Sequence, residues 1–435
     1  MRVVHVSTQD ITGGAARAAF RLHTALLETG VDSKMLVRNK ASSLPSVVEY
    51  RPPGLAARLL ERIRFRYLYS ALDRYRATRP AHVEDFDDDR TPHIDALGSL
   101  PACDVVHLHF ISCFIDHRSF LRGLPADVPV VWTAHDMAPL TGGCHYDNGC
   151  SRYLDACGTC PQLGSTVEAD LSRQIWNRKQ DALSYVRSRL HFVAASRWIE
   201  REIRRSSLTR DVPVSLIPHG LDTTVFAPKD RGSCRRALGI EPTKRVVLFV
   251  SDAVDNRRKG MHLLLEAMRR LEDVDDLLLL SIGRNAPPPL GNVAVQHLGP
   301  VANDMLLTIA YSAADVFVIP SLQEMFGLTA LEALACGTPA VGFDTGGIPD
   351  VIVDEKTGLL AATGDAGSLA AALRRMLGDD ALRAAMGHAA RSAAVDHFSM
   401  PDCAARHVDL YRSLTSPAPN PPVVARAPQA VDLRT

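Results

Sequence analysis

Two glutamates, Glu324 and Glu332, stand eight positions apart in Pro320-Ser321-Leu322-Gln323-Glu324-Met325-Phe326-Gly327-Leu328-Thr329-Ala330-Leu331-Glu332-Ala333. The apolar run from Asp315 to Ile319 stops at Pro320, a short polar loop follows, and the Ala- and Leu-rich stretch from Phe326 predicts a helix. Glu324 then lies beyond the carboxyl end of a strand and Glu332 about two turns into the next helix, where open α/β sheets bind ligands. The amides of Phe326, Gly327 and Leu328 at the helix start would be donors suited to an anion. The two carboxylates are acceptors for hydroxyls. Together they suit a phosphorylated polyol such as a nucleotide sugar.

Other residues of chemical interest sit at similar places. Gly13-Gly14 separates a strand from a helix, and small residues there let backbone amides approach an anion. Arg257-Arg258-Lys259-Gly260 follows the strand that ends at Val250, and His135-Asp136 follows Val130-Val131-Trp132-Thr133. His107 and His109 share one face of their strand, which would line a site or form a packed core edge. Cys144-x5-Cys150-x6-Cys157-x2-Cys160 places four thiols in 17 residues, a set suited to a tetrahedral structural zinc. Two disulfides or a redox pair are the alternatives. Four protein ligands leave no open position, so no metal catalysis is expected. Asp85-Phe86-Asp87 has the form of a metal-binding D-x-D, but it lies in an acidic run, Glu84 to Asp89, and reads as solvated charge.

The stretch around the two glutamates, continued by Gly337-Thr338-Pro339-Ala340-Val341 and Thr345-Gly346-Gly347-Ile348-Pro349-Asp350, resembles the E-x7-E motif of retaining GT-B glycosyltransferases, the large family-4-like group. The resemblance spans about residues 1 to 415, and the block from Gly142 to Pro161 resembles the bacterial subset that builds exopolysaccharides of the colanic acid type. It implies two Rossmann-like domains facing across a cleft. It implies that Glu324 contacts the donor sugar, Glu332 the ribose, and His135 the sugar or the charge that develops on it. Gly13 and Gly14 would face the diphosphate and acceptor. Lys259, with Arg258, would neutralise the leaving diphosphate, and the amides of Phe326, Gly327 and Leu328 would assist. The nucleobase would meet backbone around Gly299-Pro300-Val301. The family usually carries an Arg where Ser251-Asp252-Ala253 stands, and its absence at Ala253 keeps a non-catalytic GT-B-like binding protein open beside a sugar-nucleotide epimerase.

The elements that must position these residues follow from the apolar pattern. At 435 residues with 46% hydrophobic and 23% charged content, two domains are the natural prior. Strands are expected at Val3 to Val6, Ser33 to Val37, Asp104 to His109, Val128 to Thr133 and His191 to Ala194. A second set is expected at Arg245 to Val250, Leu277 to Ile282, Val293 to His297, Val316 to Ile319 and Ala340 to Phe343. Strands alternating with helices predict parallel sheets. The resemblance implies a division into 1–215, an acceptor-side domain, and 216–398, a nucleotide-sugar domain, with a helix over 399–415 crossing back. The proline-rich stretch 416–435 is expected to be a disordered tail.

Within the first domain, 55–80 reads as a basic helical insertion. Seven arginines from Arg58 to Arg79 face only Glu61 and Asp73 and are interleaved with Leu59, Leu60, Ile63, Phe65, Tyr67, Leu68 and Tyr69. Such a helix either packs on the domain or lies peripherally on an anionic membrane over 58–79. Net charge is zero, so nothing global points to nucleic acid. No run of 18 apolar residues and no N-terminal signal pattern stand out, so a cytoplasmic protein is expected. The implied partners are a nucleoside diphosphate sugar donor and a glycan or lipid-linked acceptor.

Overall fold

The computed structural model describes residues 1–80 and 86–416. The tail beyond Ser416, and Glu84 and Asp85, lie outside them. Two sheets organise the chain. The first holds β1 (Arg2–Gln9), β2 (Asp32–Asn39), β3 (Val47–Glu49), β4 (Val105–Leu108), β5 (Val130–Ala134), β6 (Leu190–Ala194) and β7 (Val214–Leu216), in the order β3-β2-β1-β4-β5-β6-β7. The second holds β8 (Arg245–Ala253), β9 (Leu277–Arg284), β10 (Ala294–His297), β11 (Val316–Ile319), β12 (Ala340–Phe343) and β13 (Gly358–Ala361), in the order β10-β9-β8-β11-β12-β13. The pairs are parallel throughout, and in each sheet the order reverses once, between β1 and β4 and between β8 and β11. Those two reversals open crevices at the strands' carboxyl ends.

Strands buried on both faces read as mostly apolar runs, which is why β1, β8 and β9 were legible. α1 (Gly14–Glu28) packs Ala16, Ala19, Leu22 and Leu26 inward and ends at Gly30, where φ is +79°. The helix Met400–Thr415 packs against α1 and the first sheet. Its Met400, Cys403, Ala404, Val408 and Tyr411 join one apolar cluster with Val3, Leu26 and Val105 of the first domain. Another cluster joins the two domains, holding Val4, Leu108 and Trp132 together with Met325, Phe326 and Ile348.

α2 (Gly54–Asp73) is the basic insertion, and it ends seven residues before the expected limit of 80, in turns. Only its inner face is packed: Leu68 is buried, and Glu61 accepts from Tyr50 Oη at 2.8 Å and lies 2.8 Å from His93 Nδ1. Leu55, Leu59, Ile63 and Tyr67, one stripe at helical spacing, are 83, 60, 58 and 69% exposed. The insertion is therefore packed on the first domain by its inner face, and its outer face is exposed. Among the described residues no helix is long and apolar enough to cross a membrane.

Candidate active site

Lys259 and Glu324 meet at the second crevice. The basic turn Arg257–Lys259 follows β8, capped by Asn256, whose side chain accepts the Lys259 N–H. Gly260 then turns at φ +75°, so close to the Pro320 carbonyl that a Cβ would collide with it. Leu322 N–H donates to Arg258 O at 2.8 Å, tying the turn to the loop after β11. Lys259 Nζ thereby reaches Glu324 Oε2 at 2.6 Å, with Ser321 Oγ at 3.3 Å from the same oxygen. The Gly346-Gly347 pair lies under that loop, where any side chain would strike the Glu324 and Met325 carbonyls, and Gly347 N–H donates to Glu324 O at 2.8 Å. Burial pushes the Glu324 carboxyl up, but Lys259 and Arg258 outweigh it and hold the group ionised below its ordinary range. Burial lowers the Lys259 ammonium against the opposing pull of Glu324.

Glu332 lies in the helix Leu328–Ala335, which begins two residues later than expected because Gly327 turns at φ +100°. Its Oε2 accepts from Tyr311 Oη at 3.0 Å. Its Oε1 accepts from Arg21 of α1 at 2.9 Å, so the first domain already holds this carboxylate. Arg21 also reaches Asp304 at 3.3 Å, and Arg17 pairs with the same aspartate. Gly14 faces the same boundary: a Cβ there would sit 3.8 Å from Leu328 Cδ1. Gly13, at φ +88°, starts α1. The glycine pair and the helix after Glu324 thus confront each other across the cleft.

His135 follows β5 and is 9% exposed. Its Nε2 lies 3.0 Å from His109 Nδ1, whose Nε2 lies 2.9 Å from His5 Nδ1, and its ring stacks on His219 at 5.2 Å. Burial lowers His135 to about 4, so its imidazole is neutral near pH 7. His107 is core: its nitrogens lie 2.6 Å from Tyr411 Oη and 2.7 Å from Thr133 Oγ1.

Beside His135, the Asp136 carboxylate lies 2.7 Å from His145 Nδ1, and His145 Nε2 lies 3.0 Å from Asp87. Although burial opposes it, this double pairing raises His145 to about 10. The acidic run is therefore not solvated charge over Asp87 to Asp89. Phe86 bridges to Cys144, which draws the run onto the cysteine block, and Arg178 reaches Asp88 at 2.8 Å and Asp89 at 2.7 Å.

Cys144, Cys150, Cys157 and Cys160 line one cavity as thiols. Gly142 N–H donates to Cys157 Sγ at 3.1 Å, and the Leu163 N–H donates to the Cys160 carbonyl at 3.1 Å. Among the described residues the one group of three ligating side chains with donor atoms within 4.8 Å of one another is His5, His107 and His109, so the sulfurs are not drawn that close. The block also crosses the cleft. Arg258 lies over the Tyr146 ring at 4.0 Å and donates to Gln323 O at 3.1 Å. Gln323 Nε2 donates to Asp147 at 2.7 Å, and Asn148 N–H donates to Gln323 Oε1 at 3.2 Å.

Sequence reasoning missed Arg21, Tyr311, His145, Tyr146 and Gln323. For Arg21 a signal existed, since Gly14, Arg17 and Arg21 share one helix face by their spacing. The others are brought in by contacts between distant segments.

Two parallel-sheet domains with cations and carboxylates at their facing crevices define an α/β protein of the GT-B glycosyltransferase architecture. The family models agree: residues 12–225 match Glycosyltransferase Family 4 and residues 230–393 match Glycosyl transferases group 1. Among curated relatives, alpha-maltose-1-phosphate synthase of Mycobacterium tuberculosis is 35% identical over 337 residues, covering 72% of this chain and 80% of that one. D-inositol 3-phosphate glycosyltransferase of Mycobacteroides abscessus is 35% identical over 191 residues, 41% of this chain and 42% of that one. Sucrose-phosphate synthase from Thermosynechococcus elongatus has the same fold, with TM-score 0.66 at 21% identity over 95% of this chain and 99% of that one. Anabaena HepE, solved with UDP-glucose, superposes with TM-score 0.63 at 15% identity over 95% of this chain and 100% of that one. The chain belongs to this glycosyltransferase family and is an enzyme that uses a nucleotide sugar donor.

Proposed function

We propose that the protein is a retaining hexosyltransferase of polysaccharide biosynthesis, moving a hexose from a nucleoside diphosphate sugar to a hydroxyl of a glycan or lipid-linked acceptor. The observation that carries this is the Lys259–Glu324 contact of 2.6 Å at the crevice beside β8 and β11. A carboxylate held that closely by an ammonium is a hydrogen-bond acceptor for sugar hydroxyls rather than an unencumbered nucleophile. That favours front-face attack. The anomeric carbon–phosphate oxygen bond breaks, the acceptor oxygen bonds to the same face, and the acceptor proton passes to a phosphate oxygen. Lys259 and Arg258, with the amides of Phe326, Gly327 and Leu328, stabilise the charge on the departing diphosphate. Neutral His135 and Glu324 orient the sugar, and Glu332 takes the ribose hydroxyls.

Cys144, Cys150, Cys157 and Cys160 hold a structural zinc in this reading. Four thiols around one cavity, with a backbone N–H donating to the Cys157 sulfur, suit thiolates that only a cation would stabilise at such burial. The zinc would fix the block that touches Gln323 and Asp136. The exposed apolar stripe of α2, flanked by Arg58, Arg62 and Arg66, rests on an anionic membrane surface from the cytoplasm. A thermal-shift screen of nucleoside diphosphates and their sugars tests the donor: saturation at 100 times the dissociation constant should add about 2.7 kcal/mol. No shift with any of them would overturn the reading.

A further inference from the structure

A groove runs between the inner face of α2 and the segment that begins at Phe86, and the reaction above leaves it without a role. Phe65, Leu68 and Leu72 supply one wall and Phe86 the other. With its open mouth included it holds about 570 Å³, a size suited to a ligand. Asp87 and Asp88 also line it, together with Arg38 and Arg90, and the same two aspartates line the cavity that contains His135 and Asp136. A slot with apolar walls and a charged edge and the sugar-side cavity therefore share one pair of carboxylates. Asp87 is ionised there: although burial raises it, its contacts with His145 hold it below the ordinary range. It is an acceptor for hydroxyls at the junction.

Resting on the glycosyltransferase reading, we infer that this groove is the acceptor's apolar subsite: it takes the hydrocarbon chain of a glycolipid acceptor whose sugar hydroxyls reach Asp87 and the His135 cavity. The occupant is a lipid chain because of what covers the other side of the same helix. The outer face of α2 exposes Leu55, Leu59, Ile63 and Tyr67 between arginines, a face complementary to an anionic bilayer. Groove and bilayer face are thus two sides of one helix. A chain leaving the bilayer beside α2 passes into an apolar wall without a long crossing of water.

Octyl β-glucoside below its micellar concentration, compared with methyl β-glucoside, is the probe, because the chain effect does not depend on knowing the sugar. Calorimetry on the full chain should show the octyl compound binding about tenfold or more tighter than the methyl compound. Leu72→Trp, which fills the slot, and separately Phe65→Ser, which makes its wall polar, should each remove that difference. Leu59→Ser, on the outer face, should keep it. Equal affinities in the wild type, a preference that survives both groove variants, or one that vanishes with Leu59→Ser would overturn the subsite. UDP, GDP, ADP, CDP and dTDP titrated in the same samples separate the two readings. If any binds while the chain contributes nothing, the subsite fails and the transferase stands. If none binds, the transferase reading fails and the subsite's role falls with it.

Discussion

Replacing Glu332 by Ala separates a ribose ligand from an interdomain tie. The carboxylate is 4% exposed, and both oxygens are in use, Oε1 by Arg21 and Oε2 by Tyr311. Removing it leaves Arg21 with only the 3.3 Å contact to Asp304 among its carboxylate partners, and strands a buried phenol. The expected loss of fold stability is on the order of 3 kcal/mol, below the full cost of breaking a buried pair because Arg21 keeps Asp304. A ribose hydroxyl that loses a charged acceptor should cost a further ~1.5–3 kcal/mol of nucleotide affinity. That is roughly 10–150-fold in dissociation constant. Calorimetry should therefore show weakened UDP or GDP binding, while inorganic pyrophosphate, which has no ribose, binds as before. Glu332→Gln, which can still accept from Tyr311, should be intermediate in both stability and affinity. A folded Ala variant with unchanged nucleotide affinity would refute the ribose role and leave Glu332 as a tie between α1 and its own helix.

Lys259→Ala should lower turnover about 10²–10³-fold, and by more than it weakens donor binding, because diphosphate charge grows in the transition state; single-turnover kinetics beside donor titration decides it. Melting temperature should fall as pH drops from about 6.5 to about 4, since burial depresses His23, His135 and His407 to about 4 each in the fold. The unfolded chain takes up those protons first, so this contribution to stability is complete above pH 6.5 and lost toward pH 4. A flat profile across that window would count against neutral buried imidazoles. Purified protein should contain about one zinc per chain, with the four thiols shielded from alkylation until a chelator is added. Metal-free protein with four reactive thiols would remove that ion. Vesicles containing anionic lipid should sediment the full chain, and Leu59→Ser with Ile63→Ser should abolish this; neutral vesicles binding equally well would argue against α2 as the contact.

The sheets were legible wherever strands lie inside them. Val3 to Val6, Arg245 to Val250 and Leu277 to Ile282 are flanked on both sides, so their runs are mostly apolar. β3, β7 and β13 were missed, and all three are edge strands of three or four residues. At the site, Glu324 and Lys259 were readable from their motifs because each stands in a local strand–loop setting. Their 2.6 Å contact was not, since it depends on Gly260 pressing against Pro320. Arg21 and Glu332 are 311 positions apart, and only the docking of the two domains joins them. The acidic run misled for a related reason. Composition marks Asp87 to Asp89 as surface, whereas the Phe86–Cys144 bridge and Arg178 hold Asp87 and Asp88 half-buried and Asp89 buried.

The anomeric configuration of the transferred sugar tests the central claim most directly. With an α-linked nucleoside diphosphate hexose and an alkyl glycoside acceptor, proton NMR should show a new α-glycosidic linkage formed in step with release of the nucleoside diphosphate. A β-linked product, or consumption of the donor by epimerisation with no acceptor required, would contradict it.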